Sequence, residues 1–271
     1  LKEAILSSDG ILAIHLTIGT GPVMDALQAL GKPTMIYSAP YSGHEWVGFA
    51  ERLKQPHMDA VLTGDRSMLA AAVRPFRAIH HLRQAKILNL TTADFSEQAE
   101  AYRKAFGTEV KKIALERVKA VYDAVSDRDA REEAARWIRE AEAVVEPSNE
   151  DIDRSCRLAL AFERLLNEEE ATGLTVDCYG TMFDRTIKLP AYPCLGFAGL
   201  NNMGLAGICE SDLRSAMTHI LFQGLSGRPS FISDPTVDEG TRTIILAHCF
   251  GTPKMDGPDG PSAPYKLRTI M

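Results

Sequence analysis

No apolar run in this chain of 271 residues is long enough to span a membrane. The amino end has neither a secretion-signal pattern nor a starting Met. Basic clusters are also missing. A net charge of −6 and a pI near 5.7 argue against a nucleic-acid partner. Cysteine is scarce, and its count of five is odd: Cys156, Cys178, Cys194, Cys209 and Cys249. None are spaced C-x-x-C, so the pattern fits reduced thiols in a cytoplasmic protein better than a disulfide framework or a zinc knuckle. The dinucleotide fingerprint G-x-G-x-x-G is incomplete as well. In Ile18-Gly19-Thr20-Gly21-Pro22 two glycines are present, Met24 takes the third position and no P-loop Lys follows, which favours a plain tight βα turn. What is present, 45% hydrophobic and 24% charged residues, is ordinary for a soluble globular protein of one to three domains.

Strand and helix patterns alternate from residue 10 to residue 90. The spacing predicts strands over 10–16, 33–38, 58–63 and 86–90. Helices are predicted over 22–30, with Pro22 in the first turn, 44–54 and 66–83. This rhythm implies α/β architecture with Rossmann-like, doubly wound parallel sheets. His80 and His81 are adjacent on a helix and so point about 100° apart, which does not suit one shared ion. His15, in an apolar strand, reads as a structural histidine. His44 reads equally as a solvated loop residue.

From residue 91 to 173 the composition turns to Ala, Glu, Arg and Lys. A helix over 95–106 closes at Gly107. Two long amphipathic helices follow, broken at Pro147-Ser148-Asn149-Glu150. Trp137, Ile138, Leu158, Leu160, Phe162 and Leu165 form their buried stripe, and the charged positions form a solvated face. A strand over 173–179 ends in Asp177-Cys178. Asp177, Asn201 and Asn202 are placed either to reach a hydroxyl-rich ligand or simply to cap neighbouring turns. Cys178, Cys194 and Cys209 read as small buried apolar residues.

Between Gly204 and Cys249 lies the stretch that carries chemistry. Gly207-Ile208-Cys209 is a strand that runs into Glu210, and Ser211-Asp212 cap a helix through Gln223. Gly224 and Gly227 stop that helix. A second short strand over 229–233 ends at Asp234, and a third over 243–247 ends at His248. Each of Glu210, Asp234 and His248 is thus expected at the carboxyl end of a strand, the edge where open α/β sheets bind ligands. Two carboxylates and an imidazole suit a divalent ion such as Mn²⁺ or Mg²⁺. Either carboxylate alone would be an ordinary cap or dipole partner.

Cys209-Glu210-Ser211-Asp212, then Ser233-Asp234-Pro235 with its Asp 24 residues after Glu210, resemble the metal-binding core of the L-fucose isomerase and L-arabinose isomerase superfamily of ketol isomerases. The resemblance takes in PCLGFAGLNNMG (193–204) and, more loosely, residues 1–90. It implies an aldose–ketose isomerase that works through a cis-enediol with Mn²⁺, and Glu210 and Asp234 as metal ligands and acid/base pair. His248 is spaced like a ligand of the arabinose-isomerase-like members. The resemblance also implies a homo-oligomer, a trimer or hexamer. In it the amino-terminal domain offers loops to a neighbouring subunit's site, which makes Gly19–Gly21 and His44 possible substrate neighbours. Members are longer and carry a further His ligand near the carboxyl end, so the chain is expected to be a fragment lacking both ends. The expected division is a partial Rossmann-like domain over 1–92, a second α/β domain over 93–228 carrying Glu210, and the start of a carboxyl-terminal domain over 229–271 carrying Asp234 and His248.

Three other functions compete. The same scaffold could isomerise a modified, for example sulfonated, hexose; Asn202, where an Asp is commoner, keeps that open. Paired Rossmann-like domains also build non-catalytic sugar-binding proteins. A zinc hydrolase built from His248, Cys249 and Cys209 lacks the customary ligand spacing.

Overall fold

The computed structural model describes residues 2–40, 42, 46–183 and 187–269. It divides into two compact units, Leu1–His80 and His81–Met271. Both are built from parallel sheets flanked by helices, the α/β, Rossmann-like class that the sequence rhythm predicts.

The first unit holds α1 (Lys2–Ser7), β1 (Ile11–His15), α2 (Gly21–Ala29), β2 (Thr34–Ser38), α3 (Trp46–Arg52), β3 (Met58–Leu62) and most of α4 (Met68–Gln84). The strands pair in parallel in the order β1-β2-β3. Side chains alternate across a strand, and the central strand β2 is buried along its whole length. Ile36 packs with Met24 of α2 and Phe49 of α3, whereas Met35 and Tyr37 pack with Ala72 of α4. Both faces of the sheet are therefore covered. Gly19 takes the left-handed conformation, with φ +80°, and α2 starts two residues later with Pro22 in its first turn. That is the tight βα turn of the simpler reading. His15 is buried, its Nδ1 2.8 Å from Ser38 Oγ and its ring edge-on to Phe49. It serves structure. His80 Nδ1 lies 2.8 Å from Asp9 Oδ2 at the surface. His44 falls outside the described residues.

The second unit continues with β4 (Lys86–Leu90), α5 (Ser96–Phe106), β5 (Glu109–Lys112), α6 (Leu115–Asp123), α7 (Asp127–Glu140), β6 (Ala143–Val144) and α8 (Asn149–Glu168). There follow β7 (Gly173–Val176), α9 (Cys178–Met182), α10 (Cys194–Asn202), β8 (Ala206–Cys209) and α11 (Leu213–Ser226). Last come β9 (Asp234–Asp238), β10 (Thr243–Ala247) and β11 (Lys266–Leu267). Four strands make the parallel sheet β5-β4-β7-β8. The βα rhythm groups β4 with the first domain, but its hydrogen bonds run to β5 and β7 in this second sheet. Rhythm identifies a strand; only long-range pairing says which sheet takes it.

Helix ends follow the expected chemistry. Gly107, with φ +84°, closes α5. Ser126 caps α7, and a Ser148/Asp151 capping box starts α8. Leu158, Phe162 and Leu165 of α8 are buried against the sheet with Leu88, Leu174 and Phe197. Trp137 is also buried, while Ile138 and Leu160 are only partly so. Residues 249–269 pack back onto this unit, with Phe250, Tyr265 and Leu267 against Trp137, Ile152 and Ala198.

Two expectations near the carboxyl end need correction. Helix α11 runs past the buried Gly224 to Ser226, and Gly227, with φ +77°, is the cap. Residues 229–233 are not a strand. Pro229 has no N–H to give a ladder, and the Ser230 backbone N–H and hydroxyl are committed to His219 Nδ1 at 3.4 and 2.9 Å. The strand starts at Asp234 and is followed by an antiparallel partner, β10, in a two-stranded hairpin. Asp234 therefore opens a strand instead of ending one.

Candidate metal and acid–base site

Glu210 follows β8 at the carboxyl edge of the parallel sheet. Both it and Ser211 take left-handed backbone, φ +67° and +55°. Such conformations in non-glycine residues cost of order 1–3 kcal/mol each and persist only where neighbours fix them. Here Ser211 N donates to Val176 O at 3.0 Å, Ser211 Oγ donates to Asn89 Oδ1 at 2.7 Å, and Glu210 N donates to Cys178 Sγ at 3.3 Å. Asp212 then caps α11, its Oδ1 accepting from Arg214 N and Ser215 N. The Glu210 side chain beyond this turn is 28% exposed.

Asp234 and His248 arrive by a different route from the one expected. In the hairpin register Asp234 pairs with Ala247, so His248, one residue further on, stands beside Asp234. The ligand atoms of Glu210, Asp234 and His248 all lie within 4.8 Å of one another. His248 Nε2 is 3.9 Å from Glu210 Oε1, beyond a direct hydrogen bond. The imidazole is only 2% exposed and packs edge-on against Phe250, ring centroids 5.2 Å apart. Asp234 lies at the exposed lip.

Burial raises the pKa of Glu210, the negative charge of Asp234 raises it further, and His248 opposes both. The hydrogen bond to Cys249 raises that of His248, and the charges of Cys249, Glu210 and Asp234 add to it. Tyr179, exposed on the neighbouring α9, has its hydroxyl pKa pushed up chiefly by Glu210. The three groups thus share one electrostatic environment. Like charge and partial burial favour a bound cation or a retained proton there.

The other polar candidates are used by the fold. Asp177 caps α9, its Oδ1 accepting from Gly180 N at 3.0 Å and its Oδ2 from Thr91 Oγ1 at 3.3 Å. Asn201 is buried against Gly207 and Thr252, and Asn202 Oδ1 accepts from Lys254 N at 3.0 Å.

A group that spacing did not reveal stands directly behind His248. Cys209 Sγ and Cys194 Sγ lie 3.8 and 3.9 Å from Cys249 Sγ, and His248 Nδ1 is 3.5 Å from the same sulfur. The signal in the sequence was adjacency: Cys209 precedes Glu210, and Cys249 follows His248.

No family model matches the chain. It is similar to two curated proteins, each named sulfoquinovose isomerase. The one from Alkalicoccus urumqiensis is 27% identical over 191 residues, 64% of this chain and 41% of that protein. The one from Clostridium sp. (strain MSTE9) is 22% identical over 262 residues, 92% of this chain and 52% of that protein. The chain therefore spans about half the length of these relatives, or less. Among the described residues, no helix is long and apolar enough to cross a membrane.

Proposed function

We propose that this chain carries the reaction site of a sugar ketol isomerase whose substrate is a sulfonated hexose. The names of the two relatives support the substrate class. One structural observation carries the chemistry: Glu210, Asp234 and the buried imidazole of His248 converge within 4.8 Å. Two hard oxygen donors with one nitrogen suit a six-coordinate ion of the Mn²⁺ or Mg²⁺ kind, with positions left for the substrate.

Glu210, Asp234 and His248 Nε2 would hold the ion, which when bound polarises the sugar carbonyl as a Lewis acid. The proton work falls to the side chains. An aldose becomes a ketose when a proton leaves C2, returns to C1, and the hydroxyl proton moves from O2 to O1. Glu210 is suited to the carbon proton, because it stands part-buried at the carboxyl edge of the sheet with Asp234 and His248 within 4.8 Å. Asp234, solvated at the lip, carries the proton between oxygens. His248 is held rigidly by Phe250 and Cys249 and orients the pair from beneath. A homo-oligomer, trimer or hexamer, belongs to the same reading through the superfamily resemblance, and sedimentation equilibrium tests it.

The deciding assay uses metal-stripped and Mn²⁺-loaded protein against sulfoquinovose, L-fucose, D-arabinose and L-arabinose. The expected result is Mn²⁺-dependent ketose formation from sulfoquinovose, lost in Glu210→Gln and in Asp234→Asn. Turnover of neutral sugars alone rejects the sulfonated substrate. Sugar binding that needs no metal and gives no product favours the sugar-binding reading instead.

A further inference from the structure

Four of the five cysteines gather at one point, contributed by α9, α10, the end of β8 and the segment after β10. Small apolar packing accounts for sulfur near sulfur. It does not account for a nearly buried imidazole that turns one nitrogen to Glu210 and the other to a thiol.

Two of the distances match a soft metal site. In a tetrahedral site with metal–sulfur bonds of about 2.3 Å, two sulfurs are about 3.8 Å apart, and a sulfur and an imidazole nitrogen about 3.6 Å. Cys209 Sγ to Cys249 Sγ is 3.8 Å, and Cys249 Sγ to His248 Nδ1 is 3.5 Å. Donor atoms of all three residues lie within 4.8 Å of one another. We propose that Cys209, Cys249 and His248 Nδ1 form a second cation site, for a thiophilic ion such as Zn²⁺, back to back with the carboxylate site through one imidazole. Binding releases the two thiol protons. Cys194, 3.9 Å from Cys249, or a water supplies the fourth donor. Access exists: cavities of about 500 and 390 Å³ both have Cys194 and Cys249 in their walls, and His248 lines the smaller. Thiolate and imidazole donors select Zn²⁺ or Co²⁺ over the hard ions suited to the carboxylates.

The test is a Co²⁺ titration of the metal-free, reduced full chain, followed by Zn²⁺. Thiolate-to-cobalt charge-transfer absorption should saturate at one equivalent and be bleached by Zn²⁺. Cys209→Ser and Cys249→Ser should each abolish the absorption or weaken binding at least tenfold. Glu210→Gln and Asp234→Asn should keep it, which separates this site from the carboxylate reading. A wild-type chain with no charge-transfer absorption overturns the proposal, as does absorption unaffected by either Ser substitution. A second measurement needs no variant. Zn²⁺ should protect Cys249 of the wild-type chain from alkylation, read by peptide mass spectrometry, while unchanged alkylation at saturating Zn²⁺ rejects the site.

Discussion

Replacing Asn201 by Ala should destabilise the second unit while substituting none of the candidate ligands. Strand β8 is an edge of the four-stranded sheet. Ala206 N donates inward to Thr172 O, so Gly207 turns both its N–H and its carbonyl outward. The Asn201 carboxamide takes both. Gly207 N donates to Oδ1 at 2.7 Å, and Nδ2 donates to Gly207 O at 3.1 Å. Nδ2 also reaches Thr252 Oγ1 at 3.2 Å, on the segment that follows His248 and Cys249. One side chain thus stands in for a missing neighbour strand and ties down the loop. Three hydrogen bonds at about 1 kcal/mol each, with a buried Gly207 N–H left without an acceptor, give a loss of about 4 kcal/mol. The two tryptophans lie one in each unit, Trp46 and Trp137. Urea unfolding followed by Trp137 fluorescence in a Trp46→Phe background therefore reports the second unit alone. Asn202→Ala, which removes one bond to Lys254 N, serves as the mild control at about 1 kcal/mol. A loss under about 1 kcal/mol for Asn201→Ala, with weakened sugar binding, would refute the structural role and restore Asn201 as a ligand.

Three other outcomes are expected. Burial lowers the pKa of His219 to about 4, so the folded unit keeps it neutral. Its stabilising effect is complete above pH ~6.5, the unfolded value, and is lost as pH falls toward ~4, at most about 3 kcal/mol in total. Urea midpoints across that range should fall for the wild type and lose this slope in His219→Leu. Gly207→Ala should fail to give a stable second unit, because its Cβ would sit 2.6 Å from the Cα and O of Phe197, backbone that cannot yield as a side chain can; circular dichroism and proteolysis read it. One equivalent of Zn²⁺ should weaken Mn²⁺ binding at least tenfold by electron paramagnetic resonance, because Zn²⁺ on Nδ1 leaves the proton on Nε2. Cys249→Ser should relieve the antagonism. This last outcome depends on both cation sites, and unaltered Mn²⁺ affinity would show that they do not share His248.

Most elements of both units could be read from the sequence, because local signals carry them. Pro22, Gly107 and Ser148 start or stop helices by their own backbone and capping chemistry. The alternation of Met35, Ile36 and Tyr37 shows that β2 is covered on both faces. Pairing was less legible. The sheet that receives β4 is decided by contacts with β7, whose pairing partners lie 86 residues on. The direction of β9 and β10 was hidden because 229–233 looks apolar enough for a strand while Pro229 and Ser230 are occupied otherwise. Glu210, Asp234 and His248 are singled out by residue type, order and the superfamily resemblance, and the structure brings their ligand atoms within 4.8 Å by a different topology. His248, Cys249 and Cys209 can be named together from the sequence but not joined by it, because the members of the thiol cluster come from separate elements and no fixed spacing marks such a set; Cys194 is added by the structure alone.

The hairpin decides how the carboxylate site behaves. An isolated two-stranded hairpin is marginal in water, and both of these strands are exposed along nearly their whole length. Its two ends are not equally fixed. His248 is clamped by Phe250 and by Cys249, which pack into the core of the second unit, whereas Asp234 is held mainly through its pairing with Ala247. Register is therefore the means by which the firm end positions the loose one. A slip of one residue would turn the Asp234 side chain to the opposite face of the hairpin. An ion bridging Glu210, Asp234 and His248 would fix that register at no cost to the core, and a thiophilic ion on Cys209 and Cys249 would fix only the end that is already firm. The carboxylate site should thus order on binding, while the thiol site stands formed beforehand.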